Sequence, residues 1–317
     1  MRRVIVLELP DGMASSFAIA LDALRAANVL STRAGRRAPF EIGSVKVART
    51  PRCEFEAGDV VIVPGMGGFS EADVAARLST PMVRRAVRLV GEARSAGATV
   101  AGSCAGTFIL AEAGLLAGRR ATTTWWLAPT FRKRYPDVEL CAEQVVVADW
   151  PIATAGAAMA QMDLMLAVIA KFAGTRTAED CARYLLFDRR ESQVPYMAMA
   201  FLAGQDERIA RAESWLRRNI AREITMDDLA AAAGMTPRTF ARRLHVVCGM
   251  SPVRFAQRIR SEVATVLLET TSLSIDEIAQ RVGYAEPSTL RRLLRRETSH
   301  PPSRLRRSAS GRGPSVK

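Results

Sequence analysis

Apolar positions recur with two different periods along this chain, and the change from one to the other divides it. Residues 4–9, 60–63 and 99–102 are short, largely apolar runs bounded by Pro or Gly, the mark of strands buried on both faces. Between them, residues 16–30 set Phe17, Ala20, Leu21, Leu24 and Ala27 at helical spacing, and residues 82–96 repeat the pattern. Further helices are predicted over 159–172 and 175–186. Strand and helix in alternation call for an α/β domain, a mostly parallel sheet sandwiched by helices. From 188 to 205 the periodicity fades and Pro195 and Gly204 appear, so a linker is expected there. The chain then reads as helix throughout, giving a second, all-α domain over 206–307 after a first domain over 1–187. The stretch 308–317 is rich in Ser, Gly and Arg and is expected to be a disordered tail.

The helical part contains a repeat. The segment that opens Thr225-Met-Asp-Asp-Leu229 and runs through Gly234, Pro237, Phe240 and Leu244 returns as Ser274-Ile-Asp-Glu-Ile278 with Gly283, Pro287, Leu290 and Leu294. Each copy has the parts of a helix-turn-helix motif. Thr225 with Asp228, and Ser274 with Glu277, are spaced as capping boxes. Gly234 and Gly283 stand where a helix stops in left-handed backbone, and Pro237 and Pro287 suit the first turn of the next helix. Phe240 and Leu244, or Leu290 and Leu294, then face inward. Arg238, Ala241 and Arg242 are left outward in the first copy, and Ser288, Arg291 and Arg292 in the second. Between the copies, residues 252–270 predict one amphipathic helix of about 28 Å, comparable with the ~34 Å between successive major grooves.

Charge sharpens this picture. Of the net +13, residues 205–317 carry +9, nearly all of it as arginine, whose paired planar donors suit phosphates and guanine edges. Arg254, Arg258, Arg295, Arg304, Arg306 and Arg307 are expected mostly at phosphates. With 49% hydrophobic and 24% charged residues both parts should be globular. The longest uncharged run, 95–111, is too short to span a bilayer, and the N-terminus lacks the pattern of a secretory signal. Five scattered cysteines without CxxC spacing argue against a disulfide scaffold or a zinc cluster. A cytoplasmic protein with no membrane partner, metal or cofactor is expected.

Residues 206–307 resemble the DNA-binding domain of the AraC/XylS family of transcription regulators, over both motifs and the connecting helix. The resemblance implies sequence-specific binding to double-stranded promoter DNA, with Arg238, Ala241, Arg242, Ser288, Arg291 and Arg292 at the bases. One departure is the closing turn, here Ser299-His-Pro-Pro302 followed by Leu305-Arg306, which predicts a looser second motif.

In the first domain, Gly102-Ser-Cys104-Ala-Gly106 follows a strand and opens a helix, the context of a nucleophile elbow. A helix N-terminus there is expected to lower the thiol pKa. The pattern resembles the class I glutamine amidotransferase-like fold, in its PfpI branch. Through the runs 104–125 and 154–163, the whole chain resembles the GlxA family of AraC-type regulators. A cysteine hydrolase needs a base, yet the two histidines, His245 and His300, lie in the helical part. Where the family often has Thr-Thr-His-Trp, this chain has Thr122-Thr123-Thr124-Trp125, and Gly12-Met-Ala-Ser-Ser16 lacks the acid of the enzymatic relatives. The expectation is therefore a non-catalytic domain that binds a small-molecule effector. Gly65, Met66, Gly67, Cys104, Ala105, Thr124 and Trp125 would form its site, and paired Trp125 and Trp126 offer faces to a cation. The resemblance implies a nitrogen-containing metabolite and a homodimer. The alternative is a thiol hydrolase or amidotransferase using Cys104, fused to a DNA-targeting domain.

Overall fold

Val4, Ile5, Val6 and Leu7 are all buried, because the strand that carries them has neighbours on both edges and helices over both faces. In the computed structural model, which describes residues 1–47, 53–298 and 300–310, the chain forms two units, Met1–Gln193 and Val194–Lys317.

The strands of the first unit are β1 (Arg2–Glu8), β2 (Phe40–Lys46), β3 (Val60–Val63), β4 (Thr99–Ser103), β5 (Arg120–Ala121), β6 (Glu139–Leu140), β7 (Val146–Asp149) and β8 (Ile152–Ala155). The main sheet runs β2-β1-β3-β4-β8-β7, parallel except for the β7–β8 pair, with β5 and β6 paired apart from it. Its helices are α1 (Ala14–Arg33), α2 (Glu71–Ser79), α3 (Pro81–Ser95), α4 (Gly106–Glu112), α5 (Ala128–Arg134), α6 (Ala160–Ala173) and α7 (Thr175–Tyr184). Alternate residues of each central strand face opposite layers. Val4, Val6, Val60 and Ile62 pack with apolar residues of α1, α6 and α7, while Ile5, Leu7, Val61 and Val63 pack with α3, α4 and Phe131 of α5. The predicted α/β class is observed.

The stretch expected as a linker is folded. Residues 188–193 lie on the first unit, where the Gln193 amide fills the space above Gly156: a Cβ on that glycine would stand 2.2 Å from it. Gln193 Nε2 donates to the carbonyls of Thr123 (3.0 Å), Ala142 (2.9 Å) and Gln144 (3.1 Å), and its Oε1 accepts from the Ala157 N–H (3.1 Å). Residues 194–205 belong to the second unit and include α8 (Met199–Ala203), with Met199, Leu202 and Ala203 buried. One short helix is too brief to show a period, so the pattern looked irregular.

The rest of the second unit is α9 (Glu207–Arg218), α10 (Met226–Ala232), α11 (Pro237–Cys248), α12 (Pro252–Thr270), α13 (Ile275–Arg281), α14 (Pro287–Thr298) and α15 (Pro302–Ser310). The helix predicted over 252–270 is α12. Residues 308–310, placed in the disordered tail by composition, end α15, and 311–317 lie outside the described residues. The second motif is closed rather than loose. Leu305 is buried with Leu290, Leu293 and Leu294, and Arg306 Nη2 donates to the Leu273 carbonyl. Among the described residues no helix is long and apolar enough to cross a membrane.

Candidate functional site

The two copies of the repeat build the same local structure. Thr225 Oγ1 accepts from the Asp228 N–H (3.1 Å) while Asp228 accepts from the Thr225 N–H (3.0 Å), and Ser274 with Glu277 does the same at 3.2 and 2.7 Å. These backbone N–H bonds hold both carboxyls below their usual range. Gly234 and Gly283 sit at φ +63° and +79°, where only glycine is unstrained. Gly283 is also crowded: a Cβ there would lie 2.5 Å from the Ile220 carbonyl oxygen.

Phe240 and Leu244 of α11, and Leu290 and Leu294 of α14, are fully buried. Arg238 and Arg242, then Ser288, Arg291 and Arg292, are exposed on the opposite faces, and Ala241 is half-buried. Arg291 stands 3.3 Å from Asp276 of α13. Arg238, Arg242, Arg292 and Arg295 have no ion partner among the described residues. Ser288, Arg291, Arg292, Arg295 and Arg296 line one open groove of about 500 Å³, a concentrated positive surface.

Not every arginine of this unit faces solvent. Arg258, expected at a phosphate, is buried and bonds to Glu297 and to two backbone carbonyls, and Arg254 also binds Glu297. Positions 254 and 258 are a helical turn apart on the side of α12 that meets α14, so both turn inward.

In the first unit, β4 and α4 meet at Cys104, whose φ of +53° makes the sharp turn of an elbow. The Cys104 N–H bonds the carbonyls of Ala155 (3.0 Å) and Gly156 (2.7 Å). The loop after β3 closes over it: a Cβ on Gly65 would stand 3.1 Å from Cys104 Cβ, 3.2 Å from Met13 Cγ and 3.5 Å from the sulfur. Met66 is buried in the core, and Gly67 lies against Arg77 instead of the thiol. Trp125 and Trp126 meet edge to face, ring centres 5.5 Å apart, so one indole's face is already filled by the other's edge.

The thiol does not follow the sequence expectation. Burial pushes it up to about 11, outweighing the Ala105 N–H and the Thr124 hydroxyl, which act the other way. A helix of only two turns cannot offset the loss of water around a side chain that is 3% exposed. Thr124 Oγ1 is itself buried and makes no hydrogen bond of normal geometry among the described residues.

The DJ-1/PfpI family model matches residues 43–171, and a helix-turn-helix domain model matches residues 229–308. The HTH-type transcriptional regulator GlxA of Rhizobium meliloti is 30% identical over 307 residues, covering 92% of this chain and 91% of that one. The chain belongs to the GlxA family of HTH-type transcriptional regulators. CdhR, an HTH-type transcriptional regulator of Pseudomonas aeruginosa, is 28% identical over 213 residues, 66% of this chain and 63% of CdhR. The chain thus spans less than two thirds of that relative's length. Among solved structures, an AraC family transcriptional regulator from Pseudomonas putida is 21% identical, covers 58% of this chain and 100% of its own, and has a TM-score of 0.46.

For this GlxA-family chain, sequence reasoning missed several residues around the elbow. Thr123 Oγ1 donates to the Cys104 carbonyl (3.0 Å), Gln161 accepts from Ser103 (2.5 Å), and Met13 stands beside Gly65. None has a local signature, since each is brought in from another part of the chain. Glu297 is missed for a different reason: a glutamate among arginines reads as surface.

Proposed function

We propose that this chain is a ligand-responsive transcription regulator that binds double-stranded promoter DNA through α11 and α14. The observation that carries the reading is the repeated pair of helix-turn-helix motifs on one strut, whose second helices expose arginines with no ion partner among the described residues, Arg238 and Arg242 on α11 and Arg292 on α14. Arg238, Ala241, Arg242, Ser288, Arg291 and Arg292 are assigned to the bases, and cations such as Arg295 to phosphates. In a selection of bound duplexes from a random pool, followed by footprinting, the full chain should protect two patches about one helical turn apart. A single patch, or uniform coverage, would refute the two-helix arrangement.

The first unit is assigned a sensing role without catalysis. Its thiol stays protonated at neutral pH, the histidines lie at 245 and 300, and the side chain against Gly65 is the uncharged Met13. We assign the effector, a small nitrogen-containing metabolite, to the elbow at Gly65, Cys104, Ala105, Thr124 and Trp125, with Met66 in the core and Gly67 on Arg77 continuing the loop from Gly65. Thr124 Oγ1, buried beside the thiol, is the hydroxyl assigned to bond the effector. A bound metabolite raises the melting temperature of the full chain by mass action, and Thr124→Val should remove that rise. A panel of amino acids and amines that shifts nothing would speak against sensing. The protein acts in the cytoplasm as a homodimer, as the family resemblance implies.

A further inference from the structure

Glu297 is out of place by composition. It lies on the last turn of α14 near the buried Leu290, Leu293 and Leu294, and is 1% exposed. Three arginines share its carboxylate: Arg258 Nη1 donates to Oε2 at 2.8 Å, Arg296 Nε to Oε1 at 3.1 Å, and Arg254 Nη1 also to Oε1. Arg258 is also buried, and its other terminal nitrogen goes to backbone, with Nη2 donating to the carbonyls of Val194 (2.7 Å) and Met197 (2.9 Å). Four residues further along α12, Glu262 accepts the Met199 N–H at 3.0 Å and binds Arg217 of α9 at 2.6 Å. Residues 194–199, by which the chain enters the second unit, are therefore tied to α12 at two points one turn apart. The first tie is the same guanidinium that holds α14.

Charges buried in this way are poor devices for stability, because desolvation cancels most of the attraction. What they provide is geometry. A guanidinium fork bonded to a carboxylate admits few orientations, whereas leucine against leucine tolerates sliding.

We propose that Arg258 and Glu297 are positioning residues for DNA reading, fixing the pose of α14 on α12 and tying it to the segment 194–199. Movement of that segment is then felt at the second reading helix through Arg258. This rests on the DNA-binding reading above.

The test uses the full chain, duplexes selected by the wild type, and footprints scored separately over the two protected patches. Arg242→Ala and Arg292→Ala identify which patch belongs to α11 and which to α14. Glu297→Gln keeps the volume and loses the charge. Arg258→Lys keeps a cation for Glu297 but cannot reach the carboxylate and both carbonyls. Each variant should need at least tenfold more protein to protect the α14 patch and less than twofold more for the α11 patch, with unchanged far-ultraviolet circular dichroism at the assay temperature. Equal weakening of both patches, or of neither, overturns the proposal. Should Glu297→Gln fail to fold, Arg258→Lys decides alone. If the wild type selects no duplex at all, the DNA-binding reading falls first and this proposal falls with it.

Discussion

Thr123 donates from Oγ1 to the carbonyl oxygen of Cys104 at 3.0 Å, fixing the elbow of the first unit through its backbone rather than its thiol. With the Cys104 N–H held by Ala155 and Gly156, the sulfur is left in a dry site at the mouth of the sheet.

That setting predicts an inert cysteine. At pH 7 the half-buried Cys53 and Cys141 should be alkylated by iodoacetamide before Cys104, as read by peptide mass spectrometry. The Cys104 rate should keep rising with pH and level off only above about 11. The thiol pKa is higher in the folded chain than the ~8.5 of a free cysteine. Its contribution to stability is therefore present below that pH and is lost as pH rises toward about 11. Labelling of Cys104 ahead of the others at neutral pH would count against a sensing domain.

Two glycines should respond to alanine with opposite signs. A Cβ on Gly106 would lie 2.5 Å from the Pro64 carbonyl oxygen and 2.9 Å from that of Val63, so Gly106→Ala must push α4 off β3. A loss of roughly 2–3 kcal/mol is expected for such forced backbone movement. Gly91, within α3, has open space around it, and Gly91→Ala should gain up to about 1 kcal/mol from helix propensity. Urea denaturation of the two variants checks both signs.

Acid should act on Glu297. Burial by itself would raise its pKa, but Arg258, Arg254 and Arg296 together hold it below the usual range. A depressed folded pKa gives stability that is present above the unfolded value, about 4.3, and is lost as pH falls through the folded one. Glu297→Gln should be less stable than the wild type at pH 6, and the gap should narrow below about pH 4. Urea midpoints of both proteins across this range report it, and a gap independent of pH would contradict the assignment of charge.

The central strands were legible because β1, β3 and β4 are buried on both faces and therefore read as plain apolar runs. The repeat was legible because caps, glycines and prolines at fixed offsets each have one structural use. The missed strands differ in kind. In β2, Glu41, Ser44 and Gly43 interrupt the apolar pattern of an edge strand, and β7 and β8 are four residues each around a tight turn. At the site, Gly65, Cys104, Ala105 and Thr124 do converge, whereas Gly67 packs on Arg77. The thiol's raised pKa was not legible, because it depends on how completely distant segments exclude water. Arg258 was misread for the same reason, since periodicity marks a face of α12 but not what packs against it.

The most direct test of the account is competition binding of the full chain to a selected duplex and to random duplex, for the wild type, Arg242→Ala and Arg292→Ala. The wild type should prefer the selected duplex by at least 10³-fold, and affinity should fall steeply with salt. Each substitution should weaken selected binding by about 1–3 kcal/mol while changing random binding far less. Equal losses on both duplexes, or no preference in the wild type, would contradict sequence reading by these two helices.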